Sequence, residues 1–327
     1  MGGGKSVLKA SIASLCALTL GGCFLFNSPE EGANFAPTDQ TSQCPDQGAA
    51  LQVLGSGGPI AETDRAGTSY LLWIDGEPRL LVDAGSGSFL RWAQAGGNIA
   101  SLDAIVLTHL HADHVGDLVD ILNSGGFEGR SAPLLIVGPD GAPRFPATSE
   151  FARRLISKEV GAFSYNGGYL DASENKPQLV LRDVPTAQGE GAPVTLEDIS
   201  DYAVEAIPVN HADAPALGYA ITVGDAKIVI TGDQNAFSEA FQSYLASSNP
   251  DILFAHHVIN GGPGQPRGLH RTPAQIGELA QALAARQLVL THNMDRSLSM
   301  IDESRAAIAN SYRGPVSVAV DLDCYTL

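Results

Sequence analysis

The stretch "IVLTHLHADHVGDL", residues 105–118, places three histidines and two aspartates directly behind an apolar run. An imidazole or a carboxylate that enters a protein interior is costly unless it is paired or bound. The apolar run predicts a buried strand, and the polar residues begin where that strand ends. Strand ends are where α/β folds collect functional side chains. The stretch therefore predicts a metal-binding or catalytic site at the mouth of a strand.

Three further apolar runs end in the same kind of residue. "EAIPVN" is followed by His211, "IVITG" by Asp233 and "LVLT" by His292, just as "AIVLT" leads to His109. Imidazole and carboxylate together suit zinc, which they bind at roughly 2.0–2.2 Å. No cysteine is near any of these residues in the sequence, so a structural zinc site of the cysteine type is not expected.

The remainder of the chain alternates between strand and helix patterns, and its two halves follow a similar logic. Residues 164–200 give the vaguest pattern. Two sheets packed face to face between helices would bury the apolar runs, which predicts an α/β fold. The predicted strands cover 50–56, 69–75, 78–85, 102–109, 132–141, 202–211, 217–233 (a hairpin), 251–257 and 287–293, and the predicted helices cover 87–97, 115–126, 150–163, 238–248 and 272–285.

Four motifs in order resemble one known family. "THLHADH" resembles the H-x-H-x-D-H signature of the metallo-β-lactamase superfamily, and "LLVDAG", "TGD" and "LTHN" follow its order. "LGSGG", "GPDG" and "NHADAPALGYAI" are similar to segments of its ribonuclease Z and arylsulfatase-like branch. The resemblance covers about residues 50–320. It implies an αββα sandwich, with two mixed β-sheets face to face and helices outside, in a hydrolase domain over 49–327.

The resemblance also implies a dinuclear zinc centre whose metal-bound hydroxide attacks an ester. Iron or manganese in place of zinc is left open, and Asp113 is assigned to catalysis as well as to metal binding. Asp83 is expected to orient a ligand imidazole, with a plain turn aspartate before Gly85 as the alternative. The implied ligands are His109, His111 and His211 for the first ion, Asp113, His114 and His292 for the second, and Asp233 between both.

The chain departs from ribonuclease Z after the strand "DILFA". That family carries a His-Glu pair there, whose histidine helps to protonate the leaving group, whereas this chain has His256 and His257, offset by one residue. The leaving-group acid could be His256, His257 or neither, because a strand-end histidine can equally be a packed core residue. His270 lies just before a helix, where it could contact substrate, pair with an acid or merely begin that helix.

Charge and composition guide the expected substrate. The formal net charge is −17, and phosphate backbones attract Lys and Arg. The Lys/Gly-rich arm that grips tRNA in ribonuclease Z has no obvious counterpart. We therefore expect a small-molecule phosphodiester or sulfate ester as substrate and no nucleic acid partner. The alternatives are a lactonase or other carbonyl-ester or β-lactam hydrolase on the same fold, and a non-catalytic metal-binding surface lipoprotein.

The amino-terminal residues indicate export. Residues 1–22 carry two lysines, an apolar stretch and small residues, which is typical of a secretory signal peptide. The ending "LGGC" resembles a bacterial lipobox, which makes Cys23 the lipidated residue and the membrane a partner through that anchor. Phe24 in place of Asp implies the outer membrane, and with it an outer-membrane or periplasmic location in a Gram-negative bacterium. The polar, Pro/Gly-rich remainder of 23–48 predicts a flexible tether.

Two cysteines remain in the folded part, Cys44 near its start and Cys324 near its end. An exported protein meets an oxidising environment, which favours a disulfide between them. Two unpaired thiols are the alternative.

Overall fold

The computed structural model describes residues 44–62, 64–197, 199 and 201–327. The predicted signal peptide, the lipidation of Cys23 and the tether as far as residue 43 lie outside the described residues and remain predictions. Within the described part of the chain, every helix is too short or too polar to cross a membrane.

The first sheet has seven strands, in the order β14-β1-β2-β3-β4-β5-β6. Its first three strand pairs are antiparallel and its last three are parallel. The strands are β1 (Ala49–Gly55), β2 (Ser69–Ile74), β3 (Glu77–Val82), β4 (Ala104–Val106), β5 (Leu134–Pro139), β6 (Leu179–Val184) and β14 (Cys324–Thr326).

The second sheet also has seven strands, in the order β13-β12-β11-β10-β9-β8-β7. Three parallel pairs are again followed by three antiparallel pairs, so the two halves of the chain build sheets of the same design. The strands are β7 (Val194–Thr195), β8 (Ala203–His211), β9 (Ala214–Val223), β10 (Ala226–Ile230), β11 (Ile252–His256), β12 (Gln287–Thr291) and β13 (Val316–Val318).

Helices cover the outer faces of the sheets. They are α1 (Ser88–Ala95), α2 (Ala112–Val115), α3 (Leu118–Gly125), α4 (Thr148–Ile156), α5 (Gly168–Asp171), α6 (Glu239–Tyr244), α7 (Pro273–Leu283), α8 (Asp295–Leu298) and α9 (Ile301–Ile308). The start of α7 matches its sequence signal, because Thr272 and Gln275 satisfy each other's backbone N–H groups ahead of Pro273.

Three apolar layers hold the sandwich together. The central layer lies between the sheets and contains Tyr70 and Val106 from one sheet and Phe254 from the other. An outer layer packs Ile105 against α1 and α3, and the other packs Leu253 against α6, α7 and α9. Strands buried on both faces need continuous apolar runs, which is why "AIVLT" and "LVLT" show no alternation. The predicted α/β class and αββα sandwich are confirmed.

The structure differs from the sequence prediction around the opening motif. The predicted strand 102–109 is regular only over β4, and the predicted helix 115–126 begins later, as α3, with the separate turn α2 ahead of it. The two helices are separated at Asp117, which has φ of −100° and ψ of 6°. Gly116 beside it packs so closely that a Cβ would lie 2.2 Å from the Ser86 hydroxyl oxygen. Residues 164–200 contain β6, β7 and α5, which are short elements without a long periodic pattern.

Cys44 and Cys324 are joined by a disulfide, with 5.6 Å between their Cα atoms. The bridge ties the residues ahead of β1 to β14. Gly48 and Asp75 add two hydrogen bonds, since the Gly48 N–H donates to the Asp75 carboxylate at 2.9 Å and the Asp75 N–H donates to the Gly48 carbonyl at 2.8 Å. Residues 44–48 were assigned to the tether from their composition, but these bonds attach them to the domain.

Candidate metal centre

Strand ends from both sheets meet at one edge of the sandwich. His109 follows β4 of the first sheet, whereas His211, Asp233 and His292 end or follow β8, β10 and β12 of the second. The remaining three predicted ligands, His111, Asp113 and His114, lie at the start of α2 or inside it. All seven predicted ligands are therefore at the same edge.

The first group consists of His109, His111 and His211. The His109 Nε2 atom lies 2.8 Å from His111 Nδ1. The His211 ring centroid lies 4.9 Å from that of His109 and 5.3 Å from that of His111. One ring nitrogen from each residue falls within 4.8 Å of the other two, which is close enough for one ion to join all three.

The second group consists of Asp113, His114 and His292. The Nε2 atoms of the two histidines are 3.1 Å apart. Asp113 Oδ2 lies 3.2 Å from His292 Nε2 and 3.6 Å from His114 Nε2. All three residues are buried, and their donor atoms form a second compact set beside the first.

Asp233 lies between the two groups. Its Oδ2 atom is 3.9 Å from His109 Nε2 and 3.6 Å from His211 Nε2, while its Oδ1 atom is 3.3 Å from His292 Nε2. One carboxylate thus reaches both groups, as a bridging ligand must.

The ionisation of these groups tests whether they fit a metal pair. Burial lowers the pKa of His109 well below its usual value, which leaves a neutral imidazole with a free lone pair. Burial also raises the pKa of Asp113, but His114 and His292 outweigh that effect and hold the carboxyl below its usual range. His292 and His270 likewise overcome burial at Asp233. The imidazole lone pair of His109 and the ionised carboxyls of Asp113 and Asp233 are donors that divalent ions need, and the residues fit.

His292 and His114 differ from His109, because nearby carboxylates favour their protonated forms. Burial lowers the pKa of His292, but Asp233 and Asp113 outweigh burial and raise it. The same balance holds at His114. Burial lowers the pKa of its ring, yet Asp113, Asp83 and Asp233 outweigh burial and raise that pKa to about 9. A divalent ion at His114 Nε2 must therefore displace a proton, so metal binding here is coupled to proton release.

Asp83 lies directly behind His114. Its Oδ2 atom accepts from His114 Nδ1 at 2.8 Å and from the Thr108 hydroxyl at 2.7 Å, and its Oδ1 atom accepts from the Thr108 N–H at 2.7 Å. This contact puts the Nδ1 proton of His114 on the Asp83 side and turns Nε2 toward His292. The structure therefore gives Asp83 the geometry of an orienting residue.

Two residues at the same edge have unusual backbone conformations. Asp83 has φ of 60° and His292 has φ of 53°, in the left-handed region that residues with side chains rarely adopt. Gly58 packs on the His292 ring so closely that a Cβ would lie 2.5 Å from its Cε1 atom. The sequence shows a glycine-rich stretch but not this contact.

His257 does not reach the site. Its ring is buried, with Nδ1 3.2 Å from Asn293 Oδ1 and Nε2 3.0 Å from the Ser304 hydroxyl oxygen. Both ring nitrogens therefore have partners within the fold. Of the alternatives open for His257, this geometry favours the packed core residue.

His256 reaches the site but faces Asp233 rather than open space. Its Nδ1 atom is 2.7 Å from Asp233 Oδ1, and its Nε2 atom is 3.0 Å from the Tyr70 hydroxyl oxygen. Burial lowers the pKa of His256 to about 3, so its ring is neutral. Both ring nitrogens of His256 are thus engaged with neighbouring side chains, which favours a role other than protonating a leaving group.

His270 lies beside Asp233 and keeps a ring nitrogen without a hydrogen-bond partner among the described residues. That atom, Nδ1, lies 3.8 Å from Asp233 Oδ2. The ring is 7% exposed and its centroid lies 5.3 Å from that of His211. Its position at the entry to α7 was visible in the sequence, but its approach to Asp233 depends on how the loop 261–271 folds back.

A family described as "Beta-lactamase superfamily domain" matches residues 78–293, which span the whole candidate centre. The chain belongs to the metallo-β-lactamase superfamily. Among curated relatives, ribonuclease Z from Mycolicibacterium paratuberculosis is 35% identical over 285 residues, covering 83% of this chain and 96% of the relative. This superfamily member is thus related to ribonuclease Z and is a metal-dependent hydrolase of ester bonds.

Two solved structures share the fold of this superfamily member. The metallo-β-lactamase fold protein YhfI from Bacillus subtilis has a TM-score of 0.63 and 21% identity. The short form of human tRNase Z has a TM-score of 0.62 and 20% identity. In each case the match covers 85% of this chain and 98% of the other.

The expectation of a small-molecule substrate and no nucleic acid partner is wrong, because the curated relatives that match most of this hydrolase are ribonucleases. The expectation rested on the net charge, which describes the whole surface. Attraction for a phosphate depends on the local field, and bound cations are the largest local charges in a metal site.

The orienting role of Asp83 gives the first prediction. Replacing it with Asn (D83N) puts an amide NH₂ opposite the Thr108 hydroxyl or His114 Nδ1, so one buried donor loses its acceptor. We expect zinc to bind about 10–100-fold more weakly, measured by competition with a chromophoric chelator. The control is D103N, which removes a carboxylate paired with Arg79 on the surface. Equal zinc affinity in D83N and the parent protein would exclude the role.

Proposed function

We propose that this protein is a phosphodiesterase that holds two divalent ions, zinc by preference, and cleaves RNA or a related nucleotide phosphodiester. The observation that carries the proposal is the pair of three-residue groups with Asp233 between them. The ribonuclease Z relatives support the phosphodiester class. Zinc is supported by the donor set of imidazoles and carboxylates without any thiolate.

His109, His111 and His211 would hold one ion, and Asp113, His114 and His292 the other. Bound there, the two ions would supply a nucleophilic water at neutral pH and positive charge for the attacked phosphoryl group. The protein positions the donors from rigid strand ends and a one-turn helix, and Asp83 sets the orientation of His114. Burial of the donors keeps bulk water away from the reacting atoms.

We assign His270 to the leaving group. Burial lowers the pKa of its ring to about 4, so it is neutral at physiological pH and carries one ring proton. Its Nδ1 atom has no hydrogen-bond partner within the described chain, and it lies 3.8 Å from Asp233 Oδ2. A neutral imidazole there can donate a hydrogen bond to the departing oxygen and pass it a proton as the bond breaks.

A cavity of about 540 Å³ extends from Asp113 and offers space for the group beside the scissile phosphate. Its wall includes Ile60 and Leu90, which are 56% and 62% exposed, and Arg65 and Arg91. Exposed apolar side chains suit the flat face of a base, which is how unstacked RNA bases are commonly held.

Initial rates on a panel of substrates test the reaction class. With zinc loaded, we expect cleavage of an aryl phosphodiester and of RNA carrying a 3′ extension, and slower or no cleavage of an aryl sulfate, a lactone and a β-lactam. The double variant D113A/H114A should reduce phosphodiester cleavage to the rate without enzyme, because it removes two donors of one ion. Preferred sulfate, lactone or β-lactam cleavage would overturn the substrate class. Zinc binding without turnover would support a binding protein.

A matched pair of histidine variants tests the leaving-group assignment. We expect H270A to lower kcat by about 100-fold or more on substrates with a poor leaving group, and by much less on an activated aryl ester. H257A removes a buried histidine outside the site, so its kcat should stay close to the parent value while its stability falls. Equal kcat losses in the two variants would contradict the role of His270.

We also propose that the protein is exported and held by a lipid on Cys23 at the outer membrane, on the periplasmic side. The support is the signal-like segment 1–22 and the "LGGC" ending. In cells fed a labelled fatty acid, the wild-type protein and C44S should carry the label and sediment with membranes, while C23S should not. Unlabelled wild-type protein would refute the anchor.

A further inference from the structure

We infer that Tyr70 and His256 are positioning residues that fix the orientation of the Asp233 carboxylate between the two metal sites. The inference rests on the metal pair of the proposed function. It gives His256 a task that differs from protonating a leaving group, and it brings in Tyr70, a buried residue outside every motif recognised in the sequence.

A chain of short contacts links the interior of the sandwich to Asp233. Thr291 Oγ1 lies 3.1 Å from the Tyr70 hydroxyl oxygen, which lies 3.0 Å from His256 Nε2. His256 Nδ1 then lies 2.7 Å from Asp233 Oδ1. All four side chains are buried. They come from β2 of the first sheet and from the ends of β12, β11 and β10 of the second, so the chain joins both sheets.

The chemistry of the groups fixes the direction of each hydrogen bond. An ionised carboxylate can only accept, so His256 Nδ1 donates to Asp233. With the ring proton on Nδ1, Nε2 of the neutral ring is an acceptor, and the Tyr70 hydroxyl donates to it at 3.0 Å. The Tyr70 oxygen then accepts from the Thr291 hydroxyl. Each donor in this series of hydrogen bonds has one acceptor, and none of the bonds requires a charged His256 ring.

This series of hydrogen bonds constrains how the Asp233 carboxylate is placed between the two groups of ligands. One lone pair of Oδ1 is taken by His256, on the side away from the first group. That contact directs Oδ2 toward His109 and His211, at 3.9 and 3.6 Å, and leaves Oδ1 3.3 Å from His292. Without it, the carboxylate could rotate about its Cβ–Cγ bond and lose its position as a bridge. Partners behind metal ligands commonly change affinity or activity by 10–100-fold.

Packing in the core fixes the position of the Tyr70 hydroxyl group. The ring stands edge-on to Phe254, with 5.8 Å between centroids, in the layer between the sheets. Its plane is tilted by 21° from that of His256, at a centroid distance of 6.4 Å. The Tyr70 ring is held by its neighbours, so its hydroxyl group occupies one position. The core between the sheets therefore orients His256 and, through it, Asp233.

The variant Y70F tests this by removing only the hydroxyl. In the full-length protein we expect zinc affinity, measured by chelator competition, to fall about tenfold. The control is Y169F. Tyr169 is equally buried, and its variant loses the hydrogen bond from its hydroxyl to the Leu122 carbonyl, but it packs in the outer layer against other helices. Its zinc affinity should stay at the parent value. Equal affinities in Y70F and Y169F would overturn the inference.

Two variants of His256 distinguish the effect of its Nδ1–H donor from the effect of losing the imidazole ring. H256N retains an amide N–H near the position of Nδ1, so it should keep more of the zinc affinity than H256L, which has no donor. Nitrogen NMR of the metal-free, histidine-labelled protein should show His256 protonated at Nδ1 and bare at Nε2, with that pattern altered in Y70F. The opposite tautomer in the parent protein, or equal zinc affinity in H256N and H256L, would overturn the inference.

The two proposals fail separately. If zinc affinity depends on Tyr70 and His256 as described but no phosphodiester is cleaved, the proposed reaction is wrong and the positioning role stands. If phosphodiesters are cleaved while Y70F binds zinc like the parent protein, the reaction stands and the positioning role is wrong.

Discussion

The buried carboxylate of Asp233 is the constraint on which the rest of the site depends. Its oxygens lie within 3.9 Å of ring nitrogens from six of the eight histidines in the chain, namely His109, His114, His211, His256, His270 and His292. A charge buried at that depth is stable only with partners of opposite charge or hydrogen-bond donors. The histidines supply hydrogen-bond donors. The opposite charge would come from the two cations that the residues fit.

The two sheets explain how so many partners reach one carboxylate. Their repeated design brings strand ends from both halves of the chain to one edge, and a buried α/β sandwich has no other place to expose functional groups without breaking a ladder of hydrogen bonds. The left-handed residues Asp83 and His292 turn sharply at those ends. Such strained positions persist only where the surrounding packing holds them, which links the stability of the core to the geometry of the centre.

The negative charge of the whole protein and the chemistry of its site act on different scales. A net charge of −17 shapes long-range attraction and solubility, and it misled the expectation about nucleic acid. Divalent ions held by this cluster of donors would create a local positive field that the composition cannot reveal. The net charge therefore affects which partners are attracted from a distance, whereas the chemistry of the site determines which bond can be attacked.

The sequence by itself determined the class of fold, the approximate strands and four candidate ligands, because apolar runs ending in imidazole or carboxylate are a local pattern. The other three candidate ligands came from the resemblance of "THLHADH" to the family signature. Asp83 was also visible, as an acid at a strand end. Only the tertiary structure decided between His256, His257 and His270, because adjacent residues at a strand end point in opposite directions. His257 turns into the fold, His256 turns to Asp233, and a distant loop delivers His270. Tyr70 could not be found from the sequence at all, since its role depends on a contact between the two sheets.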